Sequence, residues 1–167
     1  MNESYTEILV KRETPASLKA AKIAMIVFTI LLALAGILLF PIFLLGALIM
    51  GLLCYFVTPR FNVEYEYLYV GGDIDIDAIY SQKKRKRIAS YSISELEMIA
   101  PDNSHSLDSF RNRPGITIRD FSSGDPQAKV YGLVANKEKG QEYAKLELTE
   151  EILHDIRRQA PRKVSQY

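Results

Sequence analysis

The chain has 167 residues, a formal net charge of +1, hydrophobic residues at 48% of positions and one cysteine. One thiol excludes an intrachain disulfide framework, and the near-neutral balance removes the excess of positive charge on which general phosphate neutralisation depends.

The most informative stretch comes first. Between Lys22 and Arg60 there is no charged residue in 37 consecutive positions. As one straight helix that run would be about 55 Å long, against a hydrocarbon layer of about 30 Å. It is therefore predicted to fold back near Gly36 and Pro41 into two helices, Ile23 to Leu39 and Ile42 to Val57, each near the lower limit for one membrane crossing. Lys11, Arg12, Lys19 and Lys22 precede the first helix and Arg60 follows the second, whereas Phe40-Pro41-Ile42-Phe43 at the turn carries no charge. Positive flanks stay inside, so these five cations predict a two-span protein of the cell membrane with both termini cytoplasmic. Ala33-Leu34-Ala35 before Gly36 has the small-x-small form of a signal cleavage site, but the apolar run continues past it and a cleaved product would keep its anchor. Cys54, inside the second helix, reads as a small apolar residue rather than a palmitoylation or metal site.

From Arg60 to Tyr167 there are 17 Lys plus Arg and 17 Asp plus Glu, on a length suited to one domain. Phe61 to Tyr80 alternates with period two around Gly71-Gly72. That predicts a hairpin in which Val70 faces Asp73, Leu68 faces Asp75 and Glu66 faces Asp77. Its buried face carries Val63, Tyr65, Tyr67, Tyr69, Ile74, Ile76 and Ala78, and its other face carries Glu64, Glu66, Asp73, Asp75 and Asp77. Lys83, Lys84, Arg85, Lys86 and Arg87 then form a basic run leading into a third strand, and Leu96 to Ala100 gives a fourth, closed by the turn cluster Pro101-Asp102-Asn103. Asn103 to Gly115 reads as a polar loop. Ile116 to Phe121, Ala128 to Ala135 and Tyr143 to Leu148 complete seven strands. Thr149 opens an amphipathic helix with Glu150 and Glu151 in its first turn, Ile152, Leu153, Ile156 and Ala160 on one face, and Pro161 as its stop. The predicted organisation is an N-terminal cytoplasmic segment 1–22, a transmembrane hairpin 23–58, a β-domain with terminal helix 59–161 and a basic tail 162–167.

Seven strands followed by one helix is the element order of the pleckstrin-homology (PH) superfold, which residues 61 to 160 resemble. Tyr67-Leu68-Tyr69-Val70-Gly71-Gly72-Asp73-Ile74-Asp75-Ile76, Lys86-Arg87-Ile88 and Ile93-Ser94-Glu95-Leu96-Glu97 resemble the opening of bacterial PH-like domains that follow a two-helix membrane hairpin. The whole chain is similar to an uncharacterised family of small clostridial membrane proteins, through Asp73-Ile74-Asp75-Ile76-Asp77, Lys84-Arg85-Lys86-Arg87, Ile99-Ala100-Pro101, Asp120-Phe121-Ser122-Ser123-Gly124 and Ala160-Pro161-Arg162-Lys163-Val164. The resemblance implies an α+β chain: a transmembrane hairpin, then a PH-like domain of about seven antiparallel strands with a C-terminal capping helix. It supplies no catalytic residues. PH-type lipid pockets use basic residues in the hairpin after the first strand, and the hairpin read as first here, Gly71-Gly72-Asp73, is acidic.

Five cations at a hairpin tip near a membrane are candidates for contact with an anionic surface. The competing reading pairs Arg85 and Arg87 with Asp75 and Asp77 on the neighbouring strand. The acid row lacks the glycine and final glutamate of a calcium loop, two histidines and one cysteine give no zinc set, and Ser104-His105-Ser106-Leu107-Asp108 has no nucleophile elbow. The expectation is a membrane-anchored, non-catalytic interaction or lipid-sensing module without cofactor or metal. Its partners are the lipid bilayer and an unidentified membrane or cytoplasmic protein, not nucleic acid. The alternative is an accessory subunit of a membrane transport or envelope-assembly complex.

Overall fold

The computed structural model describes residues 5–57, 63–80, 82 and 84–165. Arg60 and Lys83 lie outside the described residues.

Strand β1 (Tyr5–Lys11) leads through Pro15 into helix α1 (Ala16–Leu38), which a turn at residues 39–41 reverses into α2 (Ile42–Val57). The second helix has the predicted bounds, whereas the first begins seven positions before Ile23 and takes in Lys19 and Lys22. Leu39 and Phe40 both donate their N–H to the Ala35 carbonyl, ending α1, and Pro41 accepts from the Leu44 N–H as α2 begins. A Cβ at Gly36 would lie 2.7 Å from Leu44 Cγ, and Cβ atoms at Gly46 and Gly51 would lie 3.8 Å from Leu32 and 3.9 Å from Thr29. These contacts run in opposite senses along the two helices, so α1 and α2 are an antiparallel pair closed by Gly36. Apolar side chains cover the outside, with Ile37 72% and Leu38 76% exposed. By length and composition α1 can cross a membrane, and α2 is a shorter apolar helix.

The chain returns as β2 (Val63–Val70), β3 (Asp73–Tyr80) and β4 (Lys84–Ser92), which with β1 make a four-stranded antiparallel sheet in the order β1-β2-β3-β4. The β2–β3 register is the predicted one, with Val70 opposite Asp73 and Glu66 opposite Asp77. Gly71 and Gly72 supply the turn because both have positive φ, 57° and 109°, as a two-residue type I′ connection requires.

A second sheet contains β5 (Leu96–Pro101), β6 (Thr117–Asp120), β7 (Tyr131–Lys137) and β8 (Gly140–Leu146), in the order β5-β7-β8-β6. Strand β6 runs parallel to β8, a departure from the all-antiparallel expectation. The predicted loop after residue 103 contains a 3-10 turn (His105–Leu107) and the short helix α3 (Asp108–Arg111), held by buried Leu107 and Phe110. Helix α4 (Glu150–Gln159) packs Ile152, Leu153 and Ile156 into the core between the sheets. Thr149 takes the N-cap position with extended backbone, though its side chain makes no capping hydrogen bond. Fully buried Tyr67, Tyr69, Tyr91, Ile74 and Ile76 from the first sheet meet Ile99, Leu133 and Leu146 from the second.

Two segments differ from the sequence expectation. Residues 1–22 were expected to stand apart from the domain, but Tyr5–Lys11 pairs with β2 along its whole length and buries Val10. Among the described residues there are thus eight strands rather than seven. The helical hairpin is an insertion between the first two, not a leader ahead of the domain. The tail after Pro161 is also tied down: Ile99 donates its N–H to Lys163 O at 2.7 Å, and Ser165 donates to Ile99 O at 2.8 Å. The Lys163 ammonium donates to the Ile93 carbonyl at 2.8 Å.

Candidate functional site

The basic run forms the first half of β4, and period two divides it between two faces. Arg85 and Arg87 face the acid row. The Arg85 guanidinium sits 2.6 Å from Asp77 and also pairs with Glu66, and Arg87 reaches Asp75 at 2.9 Å and Asp77 at 3.4 Å. Glu66 and Asp77 are each only 7% exposed, so this part of the acid row is buried rather than solvated as expected. Burial comes first in raising the Glu66 carboxyl above its ordinary range, a hydrogen bond with Glu7 adds to it, and Arg85 works against both. The hydrogen bond to Asp77 in turn raises the Arg85 guanidinium further.

Lys84 and Lys86 lie on the other face, opposite Tyr80 and Ala78. Both are exposed and neither makes an ion pair among the described residues. A β-bulge at the Ile76/Asp77 step leaves Ile88 as the extra residue of β4. Past the bulge, side chains from the second sheet grip the strand edge. Arg119 donates to Ile88 O at 3.1 Å and Lys137 donates to Ser90 O at 2.6 Å. The half carrying the cations is exposed at every residue from Lys84 to Arg87.

The charges assigned to topology have separate fates. Arg12 is a structural clamp: it donates to Tyr65 Oη and Asp120 O, each at 2.9 Å, lies 5.8 Å over the Tyr65 ring, and pairs with the Asp120 carboxylate at 3.8 Å. The next residue, Glu13, donates its N–H to Ser123 O at 2.7 Å, and Ser123 N–H donates to Glu147 Oε1 at 2.5 Å. Chain entry into α1 is therefore sewn to the loop after β6. An open groove of about 770 Å³ lies beside this junction, lined by Lys11, Lys19, Glu13, Glu64, Asp125 and Glu147 among others. Its mixed charge does not select an anion. Lys11, Lys19 and Lys22 make no ion pair among the described residues.

Two polar clusters escaped sequence reasoning, since neither has a local period. Tyr69 Oη donates to buried Asp155 at 2.7 Å, and this bond, helped by Gln159 and Arg158, holds the carboxyl below its ordinary range against burial. Burial alone would raise the Asp102 carboxyl, but Tyr143 Oη at 2.7 Å and Lys145 Nζ at 2.9 Å hold it low. Burial and Asp102 push the Tyr143 hydroxyl up to about 12. Both clusters fasten surrounding elements: α4 onto β2, and the segment after β5 onto β8. In the Ser-His-Asp string, Ser104 caps the 3-10 turn through the Ser106 N–H at 3.3 Å and exposed His105 contacts Asp108 at 3.0 Å. No group of three or more metal-ligating side chains occurs among the described residues.

A family model described as a bacterial PH-like domain (DUF6106) matches residues 2–166. The chain belongs to that family. The match takes in β1, the helical hairpin and the tail along with the rest of the β-domain, in agreement with a PH-like unit that begins before the helices. No curated protein and no solved structure matches the chain.

Proposed function

We propose that the protein is a membrane-anchored, non-catalytic binding module. The helical hairpin embeds as two spans, both termini are cytoplasmic, and the PH-like domain presents a surface to lipid or to a protein partner. The observation that carries this reading is the insertion of an apolar antiparallel helix pair into the β1–β2 connection of a PH-like domain. Arg12 and Glu13 bind the stem to the domain, so the domain is held at the surface rather than swinging on a linker. At about 1.5 Å per residue α1 is long enough to span, while the 16 residues of α2, which are short for a crossing, are accommodated by local thinning of the bilayer.

The accessory-subunit reading asks the small residues Ala33, Gly36, Ala47 and Gly51 to pack against another protein's helices. Gly36 is buried by Leu44 of the same hairpin and Gly51 lies near Thr29, which favours the self-contained module.

Single-thiol labelling in intact cells tests the arrangement. In a Cys54→Ala background, a cysteine at Ser123 is expected to resist an impermeant maleimide until the membrane is opened, and one at Phe40 to react at once. Reversed or equal labelling overturns the topology.

A further inference from the structure

The strand register fixes where the cationic tip stands relative to the anchor. The Arg12 N–H bonds to Val63 O at 3.1 Å, Val63 pairs with Tyr80, and Tyr80 pairs with Lys84. These four residues line one end of the first sheet, and the chain passes into α1 at that end, from Ala16. With adjacent strands about 4.8 Å apart, Lys84 stands about 15 Å across the sheet from the stem. Lys19 and Lys22 occupy the first turns of the stem, just before the uninterrupted uncharged run that begins at Ile23. The same end carries Glu13 and Glu64, the latter receiving the Gln82 amide at 3.5 Å.

The bulge and the split of the basic run act together. Arg85 and Arg87 are held by Glu66, Asp75 and Asp77, which ties down the exposed first half of β4. Lys84 and Lys86 are left exposed at the stem end. We propose that Lys84 and Lys86, together with Lys19 and Lys22 on the stem, seat the PH-like domain on anionic phospholipid headgroups of the bilayer that holds its hairpin. The proposal rests on the anchored reading above. An acidic protein segment has matching charge, but the tip lies at the bilayer end of the sheet, where headgroups are the nearest anions outside the chain itself.

Full-length protein in lipid nanodiscs provides the test. In the Cys54→Ala background, Gln82→Cys places a fluorophore at the tip, and nitroxide-headgroup lipid quenches it on contact. Discs enriched in phosphatidylglycerol are expected to quench the tip, with loss at high salt, and discs of phosphatidylcholine alone are not. Each near-surface lysine shifts a docking ratio about fivefold, so Lys84→Gln with Lys86→Gln should lower the docked-to-undocked ratio about 25-fold. A chain that co-elutes with discs but shows no dependence on lipid composition overturns the seat alone. A chain that does not co-elute overturns the anchor and the seat together.

Discussion

Arg85 holds together three carboxylates that would otherwise repel. Its guanidinium pairs with Glu66 and Asp77, and Glu66 is also hydrogen-bonded with Glu7 on β1. A carboxyl whose pKa is raised by folding stabilises the native state fully below its unfolded value, about 4.3, and that contribution is lost as pH rises through the folded value. Removing Arg85 removes the positive charge that lowers the Glu66 carboxyl, so the raised value climbs further. Arg85→Ala is therefore expected to lower the unfolding midpoint at about pH 8 much more than at about pH 5. Equal losses at the two pH values in detergent-solubilised protein would show that the pairing is not electrostatic. Pairing of Arg85 and Arg87 with the acid row was legible in the sequence, because the hairpin register was. Burial of Glu66 was not, since it depends on β1, whose position no local pattern reveals.

At the scale of elements, legibility followed locality. The β2–β3 hairpin and the buried face of α4 are each set by a period inside one short segment, and the bounds of α2 by Pro41 and the length of the uncharged run, so each is legible locally. Strand β1 was missed although Tyr5–Lys11 contains Ile8 and Val10 on one face. Its outer face mixes Tyr5, Glu7, Leu9 and Lys11, which blurs the alternation, and its partner strand lies beyond both helices. The parallel β6–β8 pair and the tail's attachment to Ile99 are likewise long-range, and nothing in their own residues announces them. Val10 is 5% exposed and Leu9 is 59% exposed. Val10→Asp should cost about 3 kcal/mol or more by placing an unpaired charge in the core, and Leu9→Thr should stay within about 0.5 kcal/mol. Thermal unfolding in detergent distinguishes them, and a neutral Val10→Asp would mean that β1 is not part of the folded domain.

At the scale of the molecule, the hairpin is carried between two hydrogen-bonded neighbouring strands. Both of its ends are thus fixed by one sheet, unlike a leader helix joined at a single point. The cost of that design is that the domain cannot be cut from the helical hairpin by simple truncation. A fragment starting at Arg60 loses β1, uncovers the edge of β2 and removes Val10 from the core. Replacing residues 16–57 with a short Gly/Ser linker leaves both strands in place, since the Arg12 N–H and Val63 O are 3.1 Å apart and a short loop closes such a gap at little entropic cost. The direct measurement is to express this linker variant, the Arg60–Tyr167 fragment and the full chain, separate membrane from soluble fractions, and melt the soluble material. The full chain should pellet with membranes, and the linker variant should be soluble with one cooperative transition. The fragment should aggregate or melt far lower. A linker variant that still pellets with membranes, or a fragment as stable as the linker variant, would contradict a domain built on both sides of an apolar hairpin proposed to hold it at the membrane.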